Sequence, residues 1–363
     1  MPQQNDFIDN KNIAENLKNI DLSKPEFDQS TYNGRYNHFF NSTDPLNLLI
    51  PQKDLEVAKK VVQAQKLGKL FSPSGANELG LDRKIIDSIK TKEDLFKFKR
   101  QYDSAFHPET QELQPWWGRM SSQVPMNMTI TGAMIALSHT PFLNLFWQLA
   151  NQSYNAAVNY TNRSGGGSDV SNIAVAWAIA SSSAVGVSAL AQKSINNSKT
   201  FQKMNPTMLR AVAPFAGIVV ANLINIPVMR NQEFIQGIAL SSEDGEIVGH
   251  SKKFTYEAIP KVVLGRLCIA ACCVIFPSAM MQGLQKIPVV RKLTTAPGTK
   301  GKVADSVATI LCVGLCLWAS VPAALAIFPQ KVGVPVEQLP SDLKASVLKK
   351  NPDLKMVYYN KGL

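Results

Sequence analysis

Residues 307–328, VATILCVGLCLWASVPAALAIF, decide the fold together with residues 262–281, VVLGRLCIAACCVIFPSAMM. The first run carries no charged side chain, and the second carries only Arg266, close to its beginning. Each run matches the roughly 20 residues that a helix needs to cross the roughly 30 Å of hydrocarbon in a bilayer. The mean hydropathy of the 363-residue chain, −0.05, therefore averages two unlike parts.

Three further apolar segments precede these runs. The first covers residues 124–137 and continues after Pro141 to residue 150, and the others cover about 173–191 and 208–229. A buried helix of a soluble protein can be equally apolar, but five such segments with basic flanks favour a membrane. The sequence thus predicts an all-α, polytopic integral membrane protein with about five transmembrane helices, several of them broken by proline, and a soluble helical N-terminal region.

The spacing of charges divides the chain into three predicted regions. Residues 1–120 carry charges every few positions and form a soluble N-terminal region, residues 121–330 form the transmembrane domain, and residues 331–363 form a polar C-terminal tail. Within the soluble region, helical spacing of apolar residues at 55–70 and a capping box from Thr91 to Asp94 each predict a helix.

Basic residues cluster beside the apolar segments and not in a recognition helix or a zinc finger. The net charge of +11 is therefore assigned to membrane flanks, and nucleic acid is not predicted as a partner. With five spans, the N-terminal side together with the second and fourth connections carries 13 lysines and arginines near the spans, against six on the other side. The positive-inside rule then predicts that the N-terminus lies on the cytoplasm-like face and the C-terminus on the opposite face.

All five cysteines lie inside apolar segments, where Cys268 and Cys272, like Cys312 and Cys316, have the spacing of one helix face. Because no histidine or carboxylate accompanies them, the sequence predicts small packing residues and no metal site. Phosphate-binding, dinucleotide-binding, zinc-hydrolase and serine-hydrolase motifs are absent from the sequence. We therefore predict no cofactor and no enzymatic activity.

Prolines and amides mark the candidate site. A proline removes a backbone N–H and frees a carbonyl, and carriers use such breaks to present backbone groups to a substrate. Amide side chains recur every three or four residues from Asn144 to Asn159. A buried amide needs a partner, which is either a polar substrate or a neighbouring helix. The predicted site gathers amides beside helix breaks or along one helix face: Asn127, Asn151, Asn155, Asn159, Asn222 and Asn225.

Several long motifs resemble the sideroflexin family. They include QVPMNMTITG at 123–132, NQSYNA at 151–156, VNYTNR at 158–163 and NIPVMR at 225–230, and the resemblance follows nearly the whole chain in order. The chain departs from the family pattern in an extra stretch at about 74–90 and in a triglycine loop, and the second apolar segment matches weakly.

The resemblance implies a mitochondrial inner-membrane protein that carries serine, and other small neutral amino acids, toward one-carbon metabolism. In that membrane the charge count places the N-terminus in the matrix and the C-terminus in the intermembrane space. Some members are instead linked to assembly of a respiratory complex, so a structural or assembly role, with respiratory complex subunits as partners, stays open as the alternative. An older proposal made family members carriers of iron or of a pyridoxine-like factor.

Serine is a zwitterion, and its binding site has to satisfy both an ammonium and a carboxylate. The apolar segments contain no interior carboxylate, so carbonyl and amide oxygens are expected to meet the ammonium. Arg119 or a helix N-terminus is expected to meet the carboxylate. The predicted partners are thus a small neutral amino acid and membrane lipids.

Overall fold

The computed structural model describes residues 15, 17–22, 24–72, 78–107, 110–138, 140–162, 170–199, 201–203, 206–243 and 245–362. The backbone divides into two units, residues 1–123 and 124–363. Helices make up most of both units, and the strands of the described residues form one small sheet. The predicted all-α membrane fold is therefore confirmed.

Four helices form the framework of the N-terminal unit: α1 (Tyr32–Ser42), α2 (Gln52–Lys66), α3 (Arg83–Ser88) and α4 (Lys92–Ala105). The apolar face of α2, with Leu55, Ala58 and Val62, is buried in the same core as Leu95 of α4. The helix predicted at 55–70 is confirmed, although it ends at Lys66, and Leu70 packs into the core from beyond its end.

Helix α4 begins with the predicted capping box. The Thr91 Oγ1 atom accepts from the Asp94 N–H at 3.1 Å, and the Asp94 carboxylate accepts from the Thr91 N–H at 2.9 Å. The two side chains satisfy backbone donors that the first turn of a helix otherwise leaves unpaired. The pKa of Asp94 is lowered by the hydrogen bonds that its carboxylate accepts from Thr91 and Lys90.

Nine further helices follow, and four of them contain segments long and apolar enough to span a membrane. These segments are Ile173–Asn197, Ala211–Met229, Lys252–Leu284 and Thr299–Leu325. They correspond to the last four apolar segments predicted from the sequence. The helices are α5 (Gln123–Leu137), α6 (Pro141–Thr161), α7 (Val170–Asn197), α8 (Pro206–Met229), α9 (Asn231–Gln236), α10 (Lys252–Leu284), α11 (Pro288–Thr294), α12 (Thr299–Leu325) and α13 (Ser341–Lys350).

The first predicted span differs, because residues 124–150 form parts of two helices and not one span. Helix α5 ends at Leu137, and α6 begins at Pro141, where the Thr140 hydroxyl caps the first turn by accepting from the Leu143 N–H at 3.2 Å. A proline at the first helical position preceded by a capping threonine starts a new helix. At 1.5 Å per residue, the 15 residues of α5 extend about 22 Å, whereas the 21 residues of α6 extend about 31 Å.

Neighbouring helices of this unit run in alternating directions. A Cβ atom added to Gly132 of α5 would lie 2.9 Å from Ile310 of α12, and Met128 lies against Gly314, so α5 and α12 are antiparallel. Helix α6 is antiparallel to α7, because Asn144 meets Ser188 and Ser153 meets Trp177. The start of α5 therefore lies at the same end of the helices as the end of α12.

Of the predicted breaks at proline, the one at Pro141 separates two helices, whereas the prolines inside α8, α10 and α12 do not divide those helices. Helix α8 continues through Pro214 and ends two residues after Pro227, α10 continues through Pro277, and α12 continues through Pro322. Each proline removes one hydrogen bond from its helix without ending it. Pro125 lies in the first turn of α5, where the missing N–H costs little.

A four-stranded antiparallel sheet joins segments from both sides of the α10–α12 pair. Its strands are β1 (Ile238–Ser241), β2 (Ile247–Ser251), β3 (Lys331–Pro335) and β4 (Met356–Asn360), in the order β2-β1-β4-β3. The inner face packs on Phe254 and Ala258 at the beginning of α10 and on Val347 of α13. Residues 331–362, which the sequence described only as a polar tail, thus supply half of the sheet.

The side chain of Arg230 ties the end of α8 to the C-terminal strand. Its Nε and Nη2 atoms donate to the two carboxylate oxygens of Glu233 at 2.7 and 2.6 Å, and Nη1 donates to the Lys361 carbonyl at 2.6 Å. The Lys361 N–H in turn donates to the Gln330 carbonyl at 2.7 Å. A bidentate arginine–carboxylate pair is geometrically specific, so these bonds fix where the strand ends.

Candidate functional site

The amide face of α6 contacts the two helices beside it. The Ser188 hydroxyl of α7 donates to Asn144 Oδ1 at 3.0 Å, and Gln148 Nε2 donates to the Pro214 carbonyl of α8 at 3.4 Å. At the other end of α6, Asn159 Nδ2 contacts Met229 Sδ at 3.0 Å. The ladder of amides recognised in the sequence therefore faces protein and not lipid.

These contacts fix the levels of the helices relative to one another. Because Gln148 meets Pro214 and Asn159 meets Met229, α6 and α8 run parallel. Asn155 and Asn225 each lie four residues, about one turn, before the second contact, so the two amides stand at the same level. The register therefore brings the α6 amide face and the Asn225 region to the same level.

Gln148 lies where α6, α7 and α8 come close to one another. The side chain is fully buried, and a Cβ atom on Gly217 of α8 would lie 2.6 Å from its Nε2 atom and 2.7 Å from the Ala184 carbonyl of α7. Only glycine at position 217 leaves room for the amide between the helices. Among the described residues, Gln148 Oε1 has no hydrogen-bond partner.

A second buried polar atom lies on α7, about one turn before Ala184. The Ser181 hydroxyl is buried and, within the described part of the chain, makes no hydrogen bond. The antiparallel register places Ser181 opposite Asn151 of α6, which is 4% exposed. We call the polar side chains shared by α6, α7 and α8, which are buried except for the half-buried Asn144, the polar seam: Asn144, Gln148, Asn151, Ser181, Ser188 and Asn225.

The predicted site residues divide into three groups. Asn151 and Asn225 are buried, and both belong to the polar seam. Asn155, Asn159 and Asn222 are partly buried on α6 and α8.

Asn127 and Arg119 belong to elements other than α6, α7 and α8. Asn127 lies on α5, three residues before Ile130, and Ile130 packs with Tyr154 of α6. Arg119 belongs to the N-terminal unit, where its Nε atom donates to the Gln114 carbonyl at 3.1 Å. Burial lowers the pKa of its guanidinium, which stays charged at neutral pH because an arginine pKa lies so far above 7.

Sequence reasoning did not include Gln148 and Ser181 in the site. Gln148 belongs to the series of amides spaced three or four residues apart, so this spacing alone could have placed Gln148 in the site. Ser181 gives no such signal, because it stands in a run of three serines on α7. Its importance follows from burial, which depends on how the helices pack.

The cysteines occupy a different part of the unit. Cys273 of α10 packs in an apolar cluster with Val313 and Leu317 of α12, and we call this cluster, which also includes Val124, Ile135, Ala211, Val274 and Val321, the apolar seam. All five thiols are free, and the Cys316 Sγ atom donates to the Cys272 carbonyl at 3.2 Å. In the described ranges, no three histidine, cysteine or carboxylate side chains come close enough to share a metal ion.

Comparison with known proteins gives one consistent result. A family model described as sideroflexins matches residues 21–363. The chain is 39% identical to Sideroflexin-1 of Rattus norvegicus over 346 residues, which cover 95% of this chain and 98% of the relative. It is 38% identical to Sideroflexin-1 of Homo sapiens and 37% identical to Sideroflexin-3 of Bos taurus, with the same coverage of both chains. No solved structure matches the chain.

Proposed function

Because the chain belongs to the sideroflexin family, we propose that it carries small neutral amino acids, with serine as the main substrate, across the mitochondrial inner membrane and toward one-carbon metabolism. Family membership supports a carrier-like role and not an enzymatic one. The single observation that carries the choice of substrate class is the polar seam, in which uncharged donors and acceptors lie buried between helices of membrane-spanning length.

The seam has the chemistry that a zwitterion requires. An ammonium group needs oxygen acceptors, which Gln148 Oε1 and the amide oxygens of Asn151 and Asn225 provide. A carboxylate needs N–H or O–H donors, which the amide nitrogens and the Ser181 hydroxyl provide. Because donors and acceptors are balanced and uncharged, the seam suits a ligand without net charge better than an anion or a metal cation.

The unpartnered atoms of the seam favour a substrate over simple packing between helices. A buried polar atom without a partner costs roughly 1–3 kcal/mol, and Gln148 Oε1 and Ser181 Oγ both carry this cost in the described structure. Thr309 Oγ1 and Ser320 Oγ of α12 carry the same cost, but in the polar seam the unpartnered atoms lie next to other buried amides of α6. A bound amino acid would satisfy them and recover the cost.

The proposed test is uptake of labelled serine by proteoliposomes that contain the full-length protein, with alanine and iron as alternative substrates. Replacing Gln148 by Leu removes a hydrogen bond to a charged group worth roughly 1.5–3 kcal/mol, so we expect serine uptake to fall more than tenfold. Gln192→Leu is the matched control, since Gln192 is an exposed amide on α7 that pairs with Asn196. It should keep uptake close to wild type.

Three outcomes would contradict the proposal. Wild-type kinetics in well-folded Gln148→Leu and Asn225→Leu proteins would place the substrate elsewhere. Uptake of iron but not of serine would remove the substrate class. No uptake at all, together with respiratory complex subunits that stay bound during purification, would support the assembly role instead.

The orientation in the membrane is part of the proposal, with the sheet and the C-terminus in the intermembrane space. The distribution of lysines and arginines near the span ends supports this orientation. The α7–α8 and α10–α12 connections, at the helix ends opposite the sheet, carry nine of them, whereas the segments at the sheet end carry six. The matrix location predicted for the N-terminus requires an odd number of crossings. If the short helix α5 also crosses, the alternating directions place both termini on one side.

Protease protection in mitoplasts distinguishes these two topologies. A tag at the N-terminus that resists protease while the inner membrane is intact, with a C-terminal tag that is cleaved, would confirm the matrix location. Cleavage of both tags would show that α5 completes a crossing, and protection of the C-terminal tag would overturn the proposed orientation.

A further inference from the structure

An apolar groove follows the outer side of α12 away from the polar seam. Its first part, of about 600 Å³, lies between α11 and the first half of α12 and is lined by Val290, Leu293, Val303 and Val307, with Lys300 at one end. A second part, of about 540 Å³, continues along α12 toward Leu315 and is also lined by Met280 of α10. The two parts share Val290, Ala308 and Leu311, so they form one continuous groove.

The dimensions of the groove match one lipid chain. From Lys300 to Leu311 is 11 residues of helix, or about 16 Å at 1.5 Å per residue, which is close to half of the roughly 30 Å hydrocarbon core. The large side chains along it remain exposed, with Leu293 at 58%, Val303 at 55% and Leu311 at 54%. The short helix α11 packs against α12 and closes one side of the groove.

Positive charge is concentrated in the α10–α12 connection, from which Lys300 lines the groove. Five basic residues are exposed within the 17 residues from 286 to 302: Lys286, Arg291, Lys292, Lys300 and Lys302. No aspartate or glutamate occurs from residue 258 to residue 304, and Asp305, in the second turn of α12, is the first acid that follows. None of the five forms an ion pair with another residue in the described part of the chain.

We propose that this groove binds an anionic phospholipid, with one acyl chain along α12 and the phosphate against the basic residues of the α10–α12 connection. Exposed apolar helix faces in a bilayer contact lipid in general, but this one joins a concave apolar surface to a phosphate-binding end. Basic pockets between transmembrane helices recognise anionic head groups in this way, and a neutral lipid would leave the five positive charges without counterions.

The test is retention of lipid by the purified full-length protein, measured by native mass spectrometry from equal amounts of phosphatidylglycerol and phosphatidylcholine. We expect the wild type to retain phosphatidylglycerol with a preference of roughly tenfold. The triple variant Arg291→Gln, Lys292→Gln, Lys300→Gln should lose this preference. Lys344→Gln, Lys349→Gln, Lys350→Gln is the matched control, because it removes the same charge from α13, which packs with the sheet.

A second variant tests the apolar part separately. Ala308→Phe places a ring in the shared middle of the groove, so it should reduce retention of both lipids while the head-group residues stay in place. If the charge variant does not fold, loss of the preference in wild-type protein at high salt, together with the result for Ala308→Phe, decides the question. Equal effects of the two triple variants, or full retention of phosphatidylglycerol by Ala308→Phe, would overturn the proposal.

Discussion

The polar seam and the apolar seam lie in the same helical unit, but their side chains differ in whether they need hydrogen-bond partners when they are buried. Side chains of the apolar seam, such as Val313 and Leu317, need no hydrogen-bond partners, so packing alone compensates for their burial. In the polar seam, Asn144 and Ser188 satisfy each other, whereas Gln148 Oε1 and Ser181 Oγ have no partner among the described residues. Under the proposed function, the apolar seam stabilises the unit and the polar seam binds the ligand.

The largest effect is expected from Gly217→Ala, which adds a methyl group against the Gln148 amide and the Ala184 carbonyl. Overpacking of this kind costs roughly 1–3 kcal/mol and should displace Gln148, so serine uptake should fall by more than tenfold. Gly186→Ala is the control on α7, since no atom lies within 4 Å of its added Cβ. That variant should gain up to about 1 kcal/mol in helix propensity and keep its transport.

Gly132, at the contact of α5 with α12, provides a variant outside the polar seam that matches Gly217→Ala. In Gly132→Ala the methyl group meets Ile310, so thermal stability should fall by a similar amount. The fraction that remains folded should bind serine with unchanged KM. An equal rise in KM for both glycine variants would break the distinction between the two regions.

A smaller effect is expected from Ser181→Ala, which should change thermal stability and serine affinity in opposite directions. Removing a buried hydroxyl without a partner relieves part of a cost of roughly 1–3 kcal/mol, so thermal stability should rise. Serine affinity should fall several-fold, because the bound amino acid loses a donor. Ser278→Ala is the control, since the Ser278 hydroxyl donates to the Val274 carbonyl of its own helix at 2.9 Å. A loss of stability in Ser181→Ala would show that the hydroxyl serves packing.

The smallest effect is expected when all five cysteines are replaced by Ala. They lie among apolar side chains with free thiols, and removing one small sulfur atom at each position should leave insertion and serine uptake largely intact. Circular dichroism and the uptake assay measure both properties. Stoichiometric iron or zinc in the purified wild type that disappears from the cysteine-free protein would reveal a metal site in the α10–α12 region.

The sequence indicated the long helices because their apolar runs are as long as a membrane is thick. It marked an interruption at Pro141 but assigned both sides to one span, although Thr140 and Pro141 together are a helix-start signal. The sheet was not predicted because its strands have four or five residues and because β1 pairs with β4 across more than 100 residues, as Ser241 does with Tyr358. For the candidate site, amide spacing identified α6, but the close approach of Gly217 to Gln148 depends on helix packing that no local pattern encodes.

The pairing of β1 with β4 has a consequence for biogenesis. Strand β1 precedes α10, whereas β4 and the Lys361 carbonyl that Arg230 binds follow every membrane helix in the sequence. During synthesis, β1 and β2 therefore emerge as a hairpin with one open edge, and they wait for about 100 further residues, including two membrane helices, before β4 is available. A nascent chain halted after α12 would expose that edge, and Arg230 Nη1 would lack the Lys361 carbonyl as its acceptor. Quality-control proteases can recognise such exposed groups in an unfinished protein.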